Sequence, residues 1–169
     1  MNIGIIVHSQ TGNTHSVAMK LKEKLSAAGH SVNIERLKVV GEFRPGVKDL
    51  QLETLPNAGQ YDALVFGAPV QAFSLSAVMT GYLEQITSLQ DKQVACLVTE
   101  AFPYPWMGGN RAIRQMRKIC ESKGATVCGS GVVNWMSSRR DQQITEVTDR
   151  LSRLFQYDTT KISPDRTRD

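Results

Sequence analysis

Cysteine is scarce in this chain, and so is any long apolar run. Cys96, Cys120 and Cys128 are the only three cysteines among 169 residues. Their odd number argues against a secreted disulfide framework, and they form no metal-ligand spacing with the three histidines. No metal site is expected. No apolar stretch approaches the roughly 18 residues that a membrane-spanning helix needs. The first residues, NIGIIV, carry neither a basic leader region nor a small-residue cleavage site, so a cytoplasmic protein is the expectation. Blocks of like charge are missing too. The formal charge is +4, but the basic residues are spread over several periodic segments, so neither nucleic acid nor a membrane is expected as a partner.

What is present is an alternation of short hydrophobic runs with longer periodic ones. With 41% hydrophobic and 21% charged residues, the chain suits one globular domain. Strands are expected at 3–7, 30–37, 62–69, 93–100 and 125–135, several of them nearly continuous in apolar residues, as strands covered on both faces are. Between them, Val17, Ala18, Leu21, Leu25 and Ala28 share one helical face, and Gly29 marks its stop. Val78, Met79, Tyr82, Leu83 and Ile86 make a second face; Ile113, Met116, Ile119 and Cys120 a third; Ile144, Val147, Leu151 and Leu154 a fourth. The segment 39–57 is broken by Gly41, Pro45, Gly46 and Pro56, with one short helix expected near 47–52. The domain is expected to span 1–156, followed by a polar tail over 157–169. Strands alternating with helices imply an α/β fold, a doubly wound parallel sheet whose ligands bind beyond the carboxyl ends of the strands.

The first such end carries HSQTGNT. Ser9, Gln10, Thr11, Gly12, Asn13 and Thr14 supply hydroxyls, an amide, a turn-permitting glycine and the N–H groups of a helix start, which together can surround a phosphate. No lysine is present, so this is not the loop of an NTPase, and the spacing is not that of a dinucleotide fingerprint. The alternative is a plain helix cap, which such residues also favour. His8 and His15 flank the loop, either as phosphate donors or without a role there.

IIVHSQTGNTHSVAMKL resembles the flavodoxin signature: Ser9, Gly12, Thr14, Ala18 and Leu21 match its spacing, while Val7 stands where the family usually has an aromatic. The resemblance covers about residues 1–156. It implies the flavodoxin-like fold, a five-stranded parallel sheet of order 2-1-3-4-5 in three α/β/α layers, and FMN as cofactor.

Two further loops would then hold the flavin. After the third strand, Pro69, Val70, Gln71, Ala72 and Phe73 offer backbone groups and one ring, and Ser74 or Ser76 can cap the next helix. After the fourth come Thr99, Glu100 and Ala101, then Phe102, Tyr104 and Trp106 interleaved with prolines. These rings either plug the sheet edge or face a planar apolar ligand. Gly108 and Gly109 follow; this pair resembles quinone-reductase relatives of flavodoxin more than the acidic loop of electron carriers. The cysteines have apolar neighbours and read as buried structural residues.

The leading expectation is an FMN-binding redox protein that passes electrons between redox partner proteins, with no residue acting as acid or base. The alternative is an NAD(P)H-dependent reductase of a small quinone or flavin, using the same FMN. A flavin-free interaction module is the third reading.

Overall fold

The computed structural model describes residues 1–41, 50–104 and 106–155. Six strands and four helices follow one another as β1 Asn2–Val7, α1 Asn13–Ala27, β2 Ser31–Arg36, β3 Ala63–Gln71, β4 Ser74–Leu75, α2 Ala77–Gln85, β5 Gln93–Glu100, α3 Gly109–Ser122, β6 Thr126–Asn134 and α4 Arg140–Ser152. The main sheet runs β2-β1-β3-β5-β6, all parallel, and β4 pairs antiparallel with the end of β3. The five-stranded order expected from the flavodoxin resemblance is present, with β4 as an addition. That addition arises because β3 continues past Pro69 to Gln71 and folds back, Val70 opposite Leu75 and Gln71 opposite Ser74.

The period of two along each strand divides the core. Ile3, Ile5, Val7, Val65 and Leu97 face α1 and α4, packing with Val17, Leu21, Leu25, Ile144 and Leu151. Ile6, Leu64, Phe66, Cys96 and Val98 face α2 and α3, packing with Met79, Leu83, Met116 and Cys120. Both faces are therefore covered, which is why the strands read as near-continuous apolar runs. Cys96 and Cys120 lie inside this core as free thiols, and Cys128 is half-buried. Of the expected helical faces, Ala28 is exposed, since α1 has already ended and Gly29 turns the chain at φ +92°.

Of the short helix expected near 47–52, residues 47–49 lie outside the described residues. Leu52 instead bridges Val39 in a single antiparallel pairing, so the segment re-enters beside β2 as extended chain. The expected tail from 157 lies outside the described residues as well. Among the described residues no helix is long and apolar enough to cross a membrane, and no cluster of three or more His, Cys, Asp or Glu could hold a metal.

Chain order reverses at β1, with β2 on one side and β3 on the other, so the loops after β1, β3 and β5 meet beyond one edge of the sheet.

Candidate functional site

Helix α1 begins at an N-cap residue that offers no side chain. Its N-cap is Gly12, left-handed at φ 92°, and the N–H groups of Asn13 and Thr14 have no partner among the described residues. A left-handed N-cap suits glycine, whose missing side chain leaves the approach open: a Cβ placed there would meet no protein atom within 4 Å. Ser9 behaves differently from its neighbours. Its hydroxyl accepts from the His15 N–H at 3.1 Å, and its carbonyl accepts from the Arg36 guanidinium at 2.9 Å, so it braces the loop from behind. Capping thus explains one residue of the loop, while two helix-end donors and the Thr11 and Asn13 side chains stay available to an anion.

The three loops are laced to one another. Thr14 is buried and its hydroxyl meets that of Thr99, at the end of β5, at 2.8 Å. Gln71 donates to Gln10 across the gap at 3.1 Å. Between these ties lies a cleft of about 240 Å³, walled by Gln10, Thr11, Asn13 and Thr14 from the first loop, Pro69, Val70 and Gln71 from the second, and Thr99, Glu100 and Ala101 from the third. Trp135 and Met136, just past β6, complete it. Neither was singled out in the sequence, although the edge rule points there: both follow the carboxyl end of the last parallel strand. A larger hollow of about 370 Å³ lies between 55–59 and 82–88, but no charged side chain lines it.

The aromatic residues of the second and third loops stand outside the core. Phe73 and Phe102 stack with centroids 5.5 Å apart, and Tyr104 and Trp106 stack at 4.4 Å. Phe102 is 41% exposed and Trp106 71%, so neither plugs the sheet edge. Ala72 and Phe73 carry positive φ, 48° and 60°, at the tip of the β3–β4 hairpin. Two non-glycine residues in the left-handed region store strain there, of the kind that concentrates at ligand-contacting loops. Gly108 and Gly109 sit behind this apron as packing residues, Gly108 against Val70 and Phe73, Gly109 against Glu100 and Val132.

Two buried titratable groups sit at strand ends, Glu100 in the cleft wall and His8 just past β1. Burial pushes the Glu100 carboxyl above its usual range, opposed by the hydrogen bonds from Asn134 and the Gly109 N–H. His8 is held at about 4, first by burial and then by the Arg36 charge, and its Nδ1 lies 2.9 Å from the Ser76 hydroxyl. That hydroxyl also accepts from the Met79 N–H, which makes Ser76 the cap of α2. A neutral His8 can accept from Ser76; a protonated one cannot. An unfolded histidine titrates near 6.5, so between that pH and about 4 the unfolded chain binds a proton that the native chain refuses. Stability is then complete above pH 6.5 and falls by about 3 kcal/mol as the pH drops through this window. His30, also lowered by burial, adds to the same slope. Thermal melts from pH 7 to 4 should show the decline, and His8→Gln should remove most of it.

Comparison with known proteins follows the same lines. The family model described as NADPH-dependent FMN reductase matches residues 1–139. No curated protein matches the chain. Among solved structures, the flavodoxin of Streptococcus pneumonia TIGR4 is 17% identical, with a TM-score of 0.68 over 90% of this chain and 96% of that one. A flavoprotein from Lactobacillus acidophilus NCFM, solved in complex with FMN, is 16% identical, with a TM-score of 0.62 over 87% and 98%. A flavodoxin, WrbA-like protein from Agrobacterium tumefaciens is 14% identical, with a TM-score of 0.62 over 92% and 99%. At such identities the structures establish the shared fold, and the family match establishes the family. The chain belongs to the NADPH-dependent FMN reductase family, as a flavodoxin-like, FMN-binding redox protein.

Proposed function

We propose that this protein is an NADPH-dependent reductase of the cytoplasm that reduces a small planar acceptor, a quinone or a free flavin, at the cleft joining its three carboxyl-edge loops. The observation that carries this reading is the exposed aromatic apron: two stacked ring pairs beside the cleft, standing in solvent where a carrier of single electrons needs only an accessible flavin edge. Flat apolar faces of that size suit a ring-shaped substrate.

When bound, FMN supplies the hydride chemistry between nicotinamide and acceptor. The chain supplies position and environment. The N–H groups of Asn13 and Thr14, with the Thr11 and Asn13 side chains, would hold the terminal phosphate at the positive end of α1. Backbone groups at 69–71 and 99–101 would hold the ring system, and Val70, Trp135 and Met136, which line the cleft, would exclude water around it. Arg111 and Arg114, both exposed on the first turns of α3, raise the local concentration of a phosphorylated dinucleotide.

Anaerobic mixing of the FMN-loaded protein with NADPH tests the reading. Loss of the flavin's visible absorption with NADPH alone, followed by its return on adding a quinone, is the expected result. Absorption that persists until a separate reductase protein is added would make the protein an electron carrier instead.

A further inference from the structure

Basic side chains at the carboxyl edge of the sheet are mostly engaged by the protein itself. Arg36 donates to the Ser9 carbonyl, Arg139 to the Gln142 side chain, and Arg140 reaches both the carbonyl and the ring of Trp135. Lys38 shares its hollow with Glu53, which offsets its charge. Arg111 and Arg114 differ. Both are exposed, and among the described residues neither side chain enters a hydrogen bond or an ion pair. Arg117, on the next turn of the same helix, is by contrast tied to Glu121 and to the Val127 carbonyl. Three residues apart on α3, Arg111 and Arg114 are neighbours on one helical face, with about 5 to 6 Å between their Cβ atoms. Two guanidinium forks at that spacing can close on a single phosphate group, each through paired N–H donors.

The loop just before them supplies a stacking surface. The Met107 N–H donates to the Tyr104 carbonyl at 3.1 Å, and the Tyr104 and Trp106 rings lie within 7° of parallel. Trp106 is 71% exposed although one of its faces is covered by Tyr104, so its other face stands open. An open indole face followed, within one short turn of chain, by two uncommitted guanidinium groups suits a purine base that carries a phosphate. The base stacks and the phosphate pairs.

NADPH differs from NADH by one phosphate monoester, on the 2′ oxygen of its adenosine, and such a group carries nearly two negative charges at neutral pH. We propose, on the reading of the protein as an NADPH-dependent reductase, that Arg111 and Arg114 select NADPH over NADH by gripping this 2′-phosphate while the adenine lies on Trp106. Contact, and not the general field of a basic protein, then sets the choice. Lys20 and Lys22 carry the same charge on α1, but α1 packs on the opposite face of the sheet from α3 and takes no part.

The test uses the FMN-loaded protein and two probes, 2′,5′-ADP and 5′-AMP, which differ only by the 2′-phosphate, each titrated by calorimetry. Wild-type protein should bind 2′,5′-ADP about ten-fold or more tightly than 5′-AMP, the scale of one charge-assisted contact. Arg111→Gln/Arg114→Gln should erase most of that preference and raise the KM for NADPH toward that for NADH. Trp106→Ala should weaken both probes by the same factor, since each carries the adenine. Lys20→Gln/Lys22→Gln, which removes the same net charge, should keep the preference. Equal binding of the two probes to the wild type overturns the site, and so does an arginine variant that keeps the preference or a lysine variant that loses it as fully. Probe affinities unmoved in Trp106→Ala overturn the adenine contact. Thermal melts establish that each variant is folded. Should the double arginine variant fail to fold, the wild-type preference at low and high salt reads the same contact: it should narrow as exposed charges are screened, and a preference insensitive to salt overturns the site. Bleaching of the flavin by NADPH in a protein without the 2′-phosphate preference overturns only the role of the arginines. A flavin that NADPH never bleaches, in a protein that binds neither probe, overturns the reductase reading and this site with it.

Discussion

Gly108→Val should lower stability by about 2 to 6 kcal/mol and abolish measurable FMN binding, the largest effect expected from any single change in the three loops. Two costs combine at this position. The residue sits at φ 119°, where a β-branched side chain is strained, and its Cβ would lie 2.8 Å from Val70 Cγ1 and 2.9 Å from the Phe73 Cα. The second contact is with backbone, which cannot swing aside as a flexible side chain can. Relief therefore requires the β3–β4 hairpin to move away from the start of α3. That hairpin carries Val70 and Gln71 on the cleft wall and Phe73 in the apron, so the displacement opens the cleft itself. Urea denaturation would read the stability loss, and quenching of FMN fluorescence the binding loss. A Gly108→Val protein that kept wild-type affinity would mean that the hairpin takes no part in holding the flavin.

The sheet was legible because its central strands β1, β3 and β5 are buried on both faces and announce themselves as apolar runs, from Ile3 to Val7 and from Val94 to Val98. The phosphate loop was legible because Ser9, Thr11, Asn13 and Thr14 crowd around one glycine at a strand end. The separate duties of those residues were not. Only the fold brings Arg36 behind Ser9 and Thr99 against Thr14, contacts across 27 and 85 residues of sequence. The β4 return was missed because its turn, Ala72–Phe73, uses left-handed residues that no local rule predicts; glycine or asparagine would have signalled it. Trp135 and Met136 were hidden for another reason. They close an ordinary strand, and their place in the cleft depends on β6 lying beside β5.

FMN should bind this protein about a few hundred- to a hundred-thousand-fold more tightly than riboflavin, which differs from it only in lacking the phosphate. The difference originates at the start of α1. A helix normally meets its first N–H groups with a side chain, but here Gly12 provides none, and the donors of Asn13 and Thr14 have no partner among the described residues. A phosphate placed there gains at least two charge-assisted hydrogen bonds, each contributing about 1.5 to 3 kcal/mol. The helix dipole adds about 0.3 to 1 kcal/mol more. The Thr14 hydroxyl, held by Thr99 at 2.8 Å, is a further donor to the phosphate, and Thr14→Ala should cost about 1 to 3 kcal/mol of FMN affinity while leaving the backbone donors in place. Riboflavin affinity should change much less in that variant, because riboflavin has no group at the loop. Paired titrations of wild-type and Thr14→Ala apoprotein with both ligands separate the two effects. Equal affinity for FMN and riboflavin in the wild type would place the phosphate away from residues 9–14. A Thr14→Ala variant that weakened both ligands alike would instead assign the Thr14–Thr99 contact to holding the loops together, with the phosphate bound by backbone donors alone.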